Sequence, residues 1–446
     1  MVTWRPAVLV ALGAVLVAVA QQPAWGLLPV GLAVLLVVAD LLLAGAIADV
    51  GLQRDGDQQV RLGGEATVRL TVTNNGLRTL RAEIRDAWVP SAGAPAGTVP
   101  VDLEPGESTE VVTTLTPTRR GDRPAVRVSL RSYGPARHAY RQATVRRSLA
   151  ATPPWTLRVL PRFDSRRFLD EKVARLRVFD GAVVTRGRGQ GTEFDSLREY
   201  VRGDDVRSLD WRASARRRDL VVRTWRPERD RHVLCVVDTG RTSAVRVGTT
   251  ATGPAAAGLD EPRLDAAIDA ALLLGEVANR AGDAVSLIAA DTTIRASVTA
   301  GANRVLLPKL VNALAPLQPS LAETDFGMIV SEVMRRERKR ALVVLFTALE
   351  PGALGEGLLP VLAQLTARHR VIIAAAQDPA TTELAGGRGS VDAVYLAAAA
   401  HRTLVDRRRI VAALARHDVT VVDAPPQLYA SAVVDRYLEL KATGQL

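Results

Sequence analysis

One short stretch of the chain carries the residue types of a divalent-metal site. Residues 233–243 read VLCVVDTGRTS, an apolar run followed by Asp238 and then by small and hydroxyl residues at alternate positions. A strand that ends in Asp-x-Ser-x-Ser supplies hard oxygen ligands, which suit Mg²⁺ or Mn²⁺. Asp238 and Thr242 keep this pattern, while Gly240 lacks the expected hydroxyl. Three interpretations stay open: a working metal site, a degraded one, or a simple turn.

A second group of candidates lies in a dense run of charges at residues 187–231. Asp204, Asp205 and Asp210 alternate there with arginines, and grouped carboxylates of this kind can serve a metal-dependent hydrolase. The run lacks the spacing of metal ligands, and His232 is the sole histidine nearby. Pairing between the acids and the arginines therefore favours a structural element, with Asp204 or Asp205 as the cap of a short helix.

From residue 232 onward, apolar strand-like runs alternate with helical stretches. The strand candidates are HVLCVVD, AVSLIAAD, ALVVLFT, RVIIAAA and VTVVDA. Continuous apolar strands separated by helices predict a parallel sheet covered on both faces, with ligands at the carboxyl ends of the strands. Asp238 stands at such an end. No GxGxxG motif opens a helix after a strand, and no GxxxxGK[ST] motif occurs, so neither a dinucleotide site nor a nucleoside-triphosphatase site is expected.

The segment before this domain alternates apolar and polar residues in short runs, which is typical of half-buried strands. Asn74-Asn75-Gly76 is predicted to form a hairpin turn, and Glu104 to Glu107 a second turn. The predicted organisation is a membrane hairpin in residues 1–50, an immunoglobulin-like β-sandwich in 55–147, a connector with the charged run in 155–231, and an α/β domain in 232–446.

Two apolar segments begin the chain. Residues 6–22 and 27–48 are predicted to be transmembrane helices, although the first reaches the needed length only with its flanking residues. A signal peptide is disfavoured because no cleavage region separates the two segments. Arg5 and Arg54 flank the pair, so the positive-inside rule places the bulk of the chain in the cytoplasm. Asp40 needs a polar partner, which we expect from the first helix or from self-association.

Bulk composition narrows the functional classes. The 446 residues are 48% apolar and 24% charged, which is ordinary for a folded protein of two or three domains. A net charge of +11 would suit nucleic acid or anionic lipid, but the arginines are interleaved with acids and only 4% of residues are aromatic, so no nucleic-acid partner is expected. The single cysteine, Cys235, excludes a disulfide framework within the chain and is expected to be buried.

The charged run resembles a known family. The stretch GQGTEFDSLREYVRGDDVRSLDWRASARRRDLVVRTW is similar to the sequence pattern of domain-of-unknown-function family 58 (DUF 58). The resemblance implies a brace or a partner surface at these positions rather than a catalytic centre. The positions that carry it, called the signature below, are Gly191, Glu193, Phe194, Arg198, Glu199, Tyr200, Gly203, Asp204, Asp205, Arg207, Asp210, Trp211, Ala215 and Arg216.

The predicted architecture also resembles that of DUF 58 proteins, in which a von Willebrand factor A-like α/β domain follows the signature. Members of the family typically accompany a MoxR-type AAA+ ATPase, often with transglutaminase-like membrane proteins. The resemblance therefore implies a membrane-anchored, non-enzymatic adaptor that assists such an ATPase in the assembly or maturation of client proteins. The open alternatives are a metal-dependent hydrolase at the aspartates of the signature and a protein that binds nucleic acid or anionic lipid.

The resemblance to von Willebrand A domains also bears on the metal. Their site takes a threonine from a second loop, which Thr324 matches, and an aspartate after a later strand, where this chain has Ala348. Asp238, Thr242 and Thr324 then supply one carboxylate and two hydroxyls. That is too little charge to hold Mg²⁺ or Mn²⁺ firmly. With Gly240 and Ala348 in place of ligands, the expectation is a degraded site.

Overall fold

The computed structural model divides the chain into two compact units, Met1–Arg162 and Phe163–Leu446. An apolar N-terminal helix, a region of β-sheets and a C-terminal α/β region are present, as the sequence predicts at this coarse level. The structure describes residues 1–22, 24–143, 152–186, 193–201, 208–217, 219–226, 231–247, 261–299 and 305–446.

Two apolar helices begin the first unit, α1 (Arg5–Ala20) and α2 (Ala24–Leu43). They approach closely where Gly13 meets Pro29, since a Cβ on Gly13 would lie 2.9 Å from a ring carbon of that proline. The segment Ala24–Asp49 is long and apolar enough to cross a membrane, whereas Arg5–Ala20 is apolar but shorter.

Asp40, near the end of α2, is only 2% exposed. Its carboxylate accepts hydrogen bonds from the backbone N–H groups of Ala136 at 3.0 Å, of Ala139 at 3.3 Å and of His138. Several amide donors of this kind can satisfy a buried carboxylate. The polar partner of Asp40 is therefore the segment 136–139, whereas the sequence analysis expected the first helix or self-association to supply it.

The other described residues of this unit form two sheets that pack face to face. One sheet has the strand order β1-β3-β6, and the other has the order β2-β9-β7-β4-β5 with β8 paired to β7. Leu70 and Val72 of the first sheet and Ile84 and Leu130 of the second are fully buried and belong to one core. The strands are β1 (Val50–Gly56), β2 (Gln59–Arg61), β3 (Ala66–Asn74), β4 (Leu80–Trp88), β5 (Val99–Leu103), β6 (Ser108–Leu115), β7 (Gly121–Tyr133), β8 (Tyr140–Ala143) and β9 (Thr156–Leu160).

Two features of this unit differ from the sequence expectation. The segment after Asn74 does not close a hairpin, because β3 pairs with β1 and β6 while β4 pairs with β5 and β7. The Asn74 side chain accepts from the Gly76 N–H at 3.0 Å and donates to the Leu103 carbonyl at 3.0 Å, so it holds a corner between the sheets. In addition, β9 pairs with β2 and β7, which places it in this unit and not in the predicted connector, residues 155–231.

The second unit is built around a six-stranded sheet of order β16-β15-β12-β17-β18-β19. Its strands are parallel except for the antiparallel edge strand β16. In chain order the strands of this unit are β10 (Glu193–Glu199), β11 (Val221–Arg226), β12 (His232–Asp238), β13 (Arg246–Val247), β14 (Glu261–Pro262), β15 (Ala284–Ala290), β16 (Ile294–Val298), β17 (Leu342–Phe346), β18 (Arg370–Ala376) and β19 (Thr420–Ala424).

Helices cover both faces of this sheet, as continuous apolar strands require. On one face, α7, α8 and α10 pack on residues such as Val236, Leu345 and Ile373. On the other face, Phe346 meets Tyr429 of α11 edge to face, with ring centroids 6.4 Å apart. The helices of this unit are α3 (Leu169–Arg186), α4 (Trp211–Arg217), α5 (Arg263–Arg280), α6 (Leu306–Leu314), α7 (Phe326–Arg336), α8 (Leu359–Thr366), α9 (Pro379–Ala385), α10 (Val391–Ala415) and α11 (Pro426–Ala442).

Candidate functional site at the strand ends

Asp238 is the last residue of β12 and lies at the carboxyl edge of the sheet, between the ends of β15 and β17. It is 1% exposed. Three loops surround it and are called the strand-end face: residues 239–245 after β12, residues 318–325 before α7, and residues 347–351 after β17. Backbone hydrogen bonds join the first two loops, from Arg241 N to the Ala322 carbonyl at 2.8 Å and from Ser320 N to the Thr239 carbonyl at 2.7 Å.

Four donors satisfy the Asp238 carboxylate. Its Oδ1 accepts from the Thr324 hydroxyl at 2.5 Å and from the Gly240 N–H at 2.8 Å. Its Oδ2 accepts from the Thr347 hydroxyl at 2.6 Å and from the Thr242 hydroxyl at 3.2 Å. A buried carboxylate needs such donors when it has no neighbouring cation. The carboxylate therefore holds the three loops of the strand-end face together.

The structure brings the three sequence candidates, Asp238, Thr242 and Thr324, into one hydrogen-bonded cluster. It adds Thr347, which was not among the site residues predicted from the sequence. The available signal was positional: Thr347 directly follows β17, and the carboxyl ends of adjacent parallel strands meet at one edge of the sheet. Ala348 itself is buried, with 2% exposure, and offers no ligand.

The donor set around Asp238 does not fit a hydrated Mg²⁺ or Mn²⁺ ion. A Cβ on Gly240 would lie 2.0 Å from the Thr324 hydroxyl oxygen, so the space that a serine at this position would need is already filled. All three threonine hydroxyls donate to the carboxylate, so together with the Gly240 N–H they occupy the acceptor positions of both its oxygens. One carboxylate is also less charge than these ions usually demand, and the described part of the chain holds no group of three or more metal-binding side chains.

Charged side chains reinforce the face from outside the cluster. Arg263, at the start of α5, donates from Nη1 to the Thr242 carbonyl at 2.7 Å and approaches a Glu350 carboxylate oxygen at 3.4 Å. Arg241 donates to Glu323 at 2.6 Å and thereby ties the first loop to the second. The bond to Glu323 raises the pKa of Arg241, and burial lowers the pKa of Arg263. Arg241, Arg263 and Glu323 were not among the site residues predicted from the sequence.

Asp291 is a second buried carboxylate at this edge, one residue beyond β15 and 1% exposed. It accepts from the Thr293 N–H at 3.1 Å and from the Thr239 hydroxyl at 3.4 Å, and Arg295 lies 3.6 Å away. These contacts close the turn between β15 and β16, so the role that the geometry gives Asp291 is structural.

The signature lies on the β10–β11 ribbon and on α4, as far as the structure describes it. Glu193, Phe194, Arg198 and Glu199 are on β10, which pairs with β11 in antiparallel register, and Tyr200 follows it. Trp211, Ala215 and Arg216 are on α4. The signature positions outside the described residues are Gly191, Gly203, Asp204, Asp205 and Arg207.

Asp210 caps α4, a role that the sequence analysis had given to Asp204 or Asp205. Its Oδ1 accepts from the N–H groups of Arg212 and Ala213, both at 3.0 Å, and its Oδ2 accepts from Arg223 at 2.8 Å. The N–H of Ala213, followed by Arg223, lowers the pKa of this carboxyl. Asp210 thus joins α4 to β11 with both oxygens engaged.

A family model described as "Protein of unknown function DUF58" matches residues 196–418, which is half of the chain. The chain belongs to the DUF58 family. The match begins on β10 within the signature, continues through the strand-end face and ends at Asp418, just before β19. It therefore covers most of the second unit, while Gly191, Glu193 and Phe194 precede it.

The relatives of this DUF58 chain do not supply a function. The uncharacterised proteins Rv1480 of Mycobacterium tuberculosis and Mb1516 of Mycobacterium bovis are each 26% identical to it over 199 residues, which is 44% of this chain. The chain spans 58% of the length of these curated relatives.

Two solved structures show only distant likeness. A CARDB domain from Pyrococcus furiosus has a TM-score of 0.19 and 16% identity, over 25% of this chain and 92% of that domain. The PilB minor pilin of Streptococcus sanguinis has a TM-score of 0.29 and 7% identity, over 82% of this chain and 88% of that protein. Likeness at this level carries no argument about function.

Proposed function

We propose that this chain is a membrane-anchored, non-enzymatic adaptor that docks a partner protein on the strand-end face of a von Willebrand A-like domain. The partner we propose is a MoxR-type AAA+ ATPase, as the family resemblance implies. The segment Ala24–Asp49 and the shorter helix α1 would together anchor the chain in the cell membrane, with its bulk in the cytoplasm. A transglutaminase-like membrane protein would be a further partner.

The observation that carries the proposal is the state of Asp238. A catalytic carboxylate needs a free oxygen for a proton, a metal or a substrate, but all four donors around Asp238 belong to the protein and fix its loops. On their outer side these loops expose side chains that another protein could contact. Leu321, two residues before Glu323 in the second loop, is 81% exposed, and the paired side chains of Arg241 and Glu323 are 53% and 63% exposed.

An exposed leucine in a loop that also carries an exposed ion pair has the composition of a docking surface, in which apolar contacts provide affinity and polar contacts provide specificity. The Arg241–Glu323 pair holds two loops in one arrangement, so little loop ordering would oppose binding. A rigid face with an exposed leucine therefore suits recognition of another protein better than it suits chemistry.

The test is co-purification of the MoxR-type ATPase of the same genome with the tagged full chain in detergent. Leu321→Asp is expected to reduce the captured ATPase at least about tenfold, because a charge replaces an apolar contact. The matched control is Leu77→Asp in the first unit, where the leucine is 96% exposed and binding should be unchanged. Equal capture by both variants would refute docking on this face, and no capture by the unmodified chain would refute the partner.

A further inference from the structure

A cavity of about 630 Å³ opens beside the strand-end face, at the carboxyl ends of β17, β18 and β19. Glu350 follows β17, Asp378 follows β18 and Asp423 lies on β19, and all three reach its wall. The carboxyl edge of a parallel sheet is where such folds bind ligands, and this volume is typical of small-ligand sites. Neither the sequence patterns nor the family match assigns it a role.

Arg263 is the buried cation of this cavity. It lines the wall, is 8% exposed, and its Nε has no hydrogen-bond partner within the described residues. In the described part of the chain its ion-pair partner is Glu350 at 3.4 Å, which is longer than a good charge-assisted hydrogen bond, and the Glu350 side chain is 35% exposed. Burial lowers the pKa of Arg263, as expected of a guanidinium whose charge is incompletely balanced.

The other acids of the cavity are committed elsewhere. Asp423 is held by Arg407 through both of its oxygens. Asp406 pairs with Arg409 at 3.2 Å, and Asp378 caps α9. Among the lining residues, Arg263 is therefore the buried cation with the weakest anionic partner.

The rest of the wall combines polar residues, such as Gln377 and Thr403, with an apolar part. The apolar part includes Leu349, Leu404 and Val411, and Val411 packs against the core of the sheet. A ligand that fits this wall carries a small branched or unbranched hydrocarbon group, because burial of such a group against these side chains is favourable.

We propose that this cavity binds a carboxylate borne on a small apolar body, with the carboxylate on the guanidinium of Arg263 and the apolar body against Leu349 and Val411. A planar carboxylate matches the fork of a guanidinium, and it would displace the loosely held Glu350. The carboxylate can come from a free small acid or from the side chain of a docked peptide. The site does not depend on the identity of the ATPase.

The experiment is calorimetric titration of the detergent-purified full chain with isovalerate, and with its uncharged twin isovaleramide. A second arm uses the peptide acetyl-Leu-Glu-Leu-amide against its Gln counterpart. Isovalerate binding alone identifies a small-acid site, whereas peptide binding alone identifies a peptide site. In either arm the charged probe is expected to bind at least about tenfold more tightly than its uncharged control.

Substitutions distinguish a loss of probe binding at the cavity from a loss of folding. Arg263→Gln should weaken charged-probe binding at least about tenfold, whereas Glu350→Gln should tighten it, because a competing carboxylate is removed. Arg402→Gln, an exposed arginine of α10 away from the cavity wall, is the matched control. If Arg263→Gln fails to fold, Val411→Trp fills the cavity without changing a charge and should abolish binding. Equal binding of charged and uncharged probes, no saturable binding at millimolar concentrations, or unchanged affinity in Val411→Trp would overturn the proposal.

Discussion

Gly240→Ser restores the hydroxyl that the metal-site pattern expects at this position. Its effect therefore shows whether one substitution can restore a metal site or whether the surrounding side chains now prevent it. The structure predicts damage instead of repair. A Cβ at residue 240 would lie 2.0 Å from the Thr324 hydroxyl oxygen and 3.1 Å from the Ala322 carbonyl oxygen. The Thr324 side chain would have to move, and it would then lose its 2.5 Å hydrogen bond to Asp238.

The cost follows from two effects. Overpacking of a well-filled site costs about 1–3 kcal/mol, and a lost hydrogen bond to a buried charged group costs about 1.5–3 kcal/mol. The serine hydroxyl can recover part of the second loss by bonding to Asp238 itself. We therefore expect a loss of roughly 2–4 kcal/mol in the free energy of unfolding of the second unit, or about 3–7 °C in its melting temperature.

Thermal unfolding of the full chain in detergent, with and without Mg²⁺, measures this effect. Gly355→Ser is the matched control, because a Cβ on Gly355 meets nothing within 4 Å. Thr324→Ala should relieve the clash, so the double variant Gly240→Ser/Thr324→Ala should be more stable than the sum of the single losses indicates. A Gly240→Ser protein that is as stable as the unmodified chain, or that gains Mg²⁺ binding on its own, would refute this reasoning.

Two further predictions concern buried carboxylates. Burial raises the pKa of Asp269 from 3.8 to about 6, so its contribution to stability is fully present below the unfolded pKa and is lost as pH rises through about 6, a difference of about 3 kcal/mol. Asp269→Asn can still accept from the Ser165 N–H and should remove this part of the pH dependence between about pH 4 and 6. Identical pH profiles of unfolding for the variant and the unmodified chain would contradict this. Thr347→Val removes the 2.6 Å hydroxyl donor to Asp238 and should lower the free energy of unfolding by about 2 kcal/mol, more than Thr242→Val, which removes a donor at 3.2 Å. Denaturant unfolding measures both losses, and the reverse order would show that distance does not govern the strength of these hydrogen bonds.

The sequence was sufficient to place Asp238 because its signal is local. An apolar run that ends in Asp indicates a buried strand and its carboxyl end, and Thr242 follows at a fixed distance along the same loop. The pairing of Asn74 was different, because the same Asx turn serves a hairpin or a corner between sheets. Which of these forms depends on strands far away in the chain, here β6 and β7.

Hydrogen-bond partners that are far apart in the chain cannot be paired from the local sequence. Thr347 is 109 residues from Asp238, and Arg263 reaches Glu350 across 87 residues. Only the parallel order of β12 and β17 puts these groups at one edge. A strand-end residue can be predicted to lie on that edge, but its hydrogen-bond partner depends on loop conformations that neither periodicity nor turn chemistry determines.

At this edge of the sheet, the residues that depart from the metal-site pattern compensate one another. Without a serine at 240 or an acid at 348, the Asp238 cluster holds a single negative charge, and the Thr324 and Thr347 hydroxyls with one amide and Thr242 balance it. A carboxylate so satisfied gains little from a dication, which would have to displace the donors before it could bind. Arg263 is a buried cation near this edge, bonded to the Thr242 carbonyl and only loosely paired with Glu350. A partner's carboxylate is therefore better received in the adjoining cavity than at Asp238, because there a positive charge is already present and incompletely balanced.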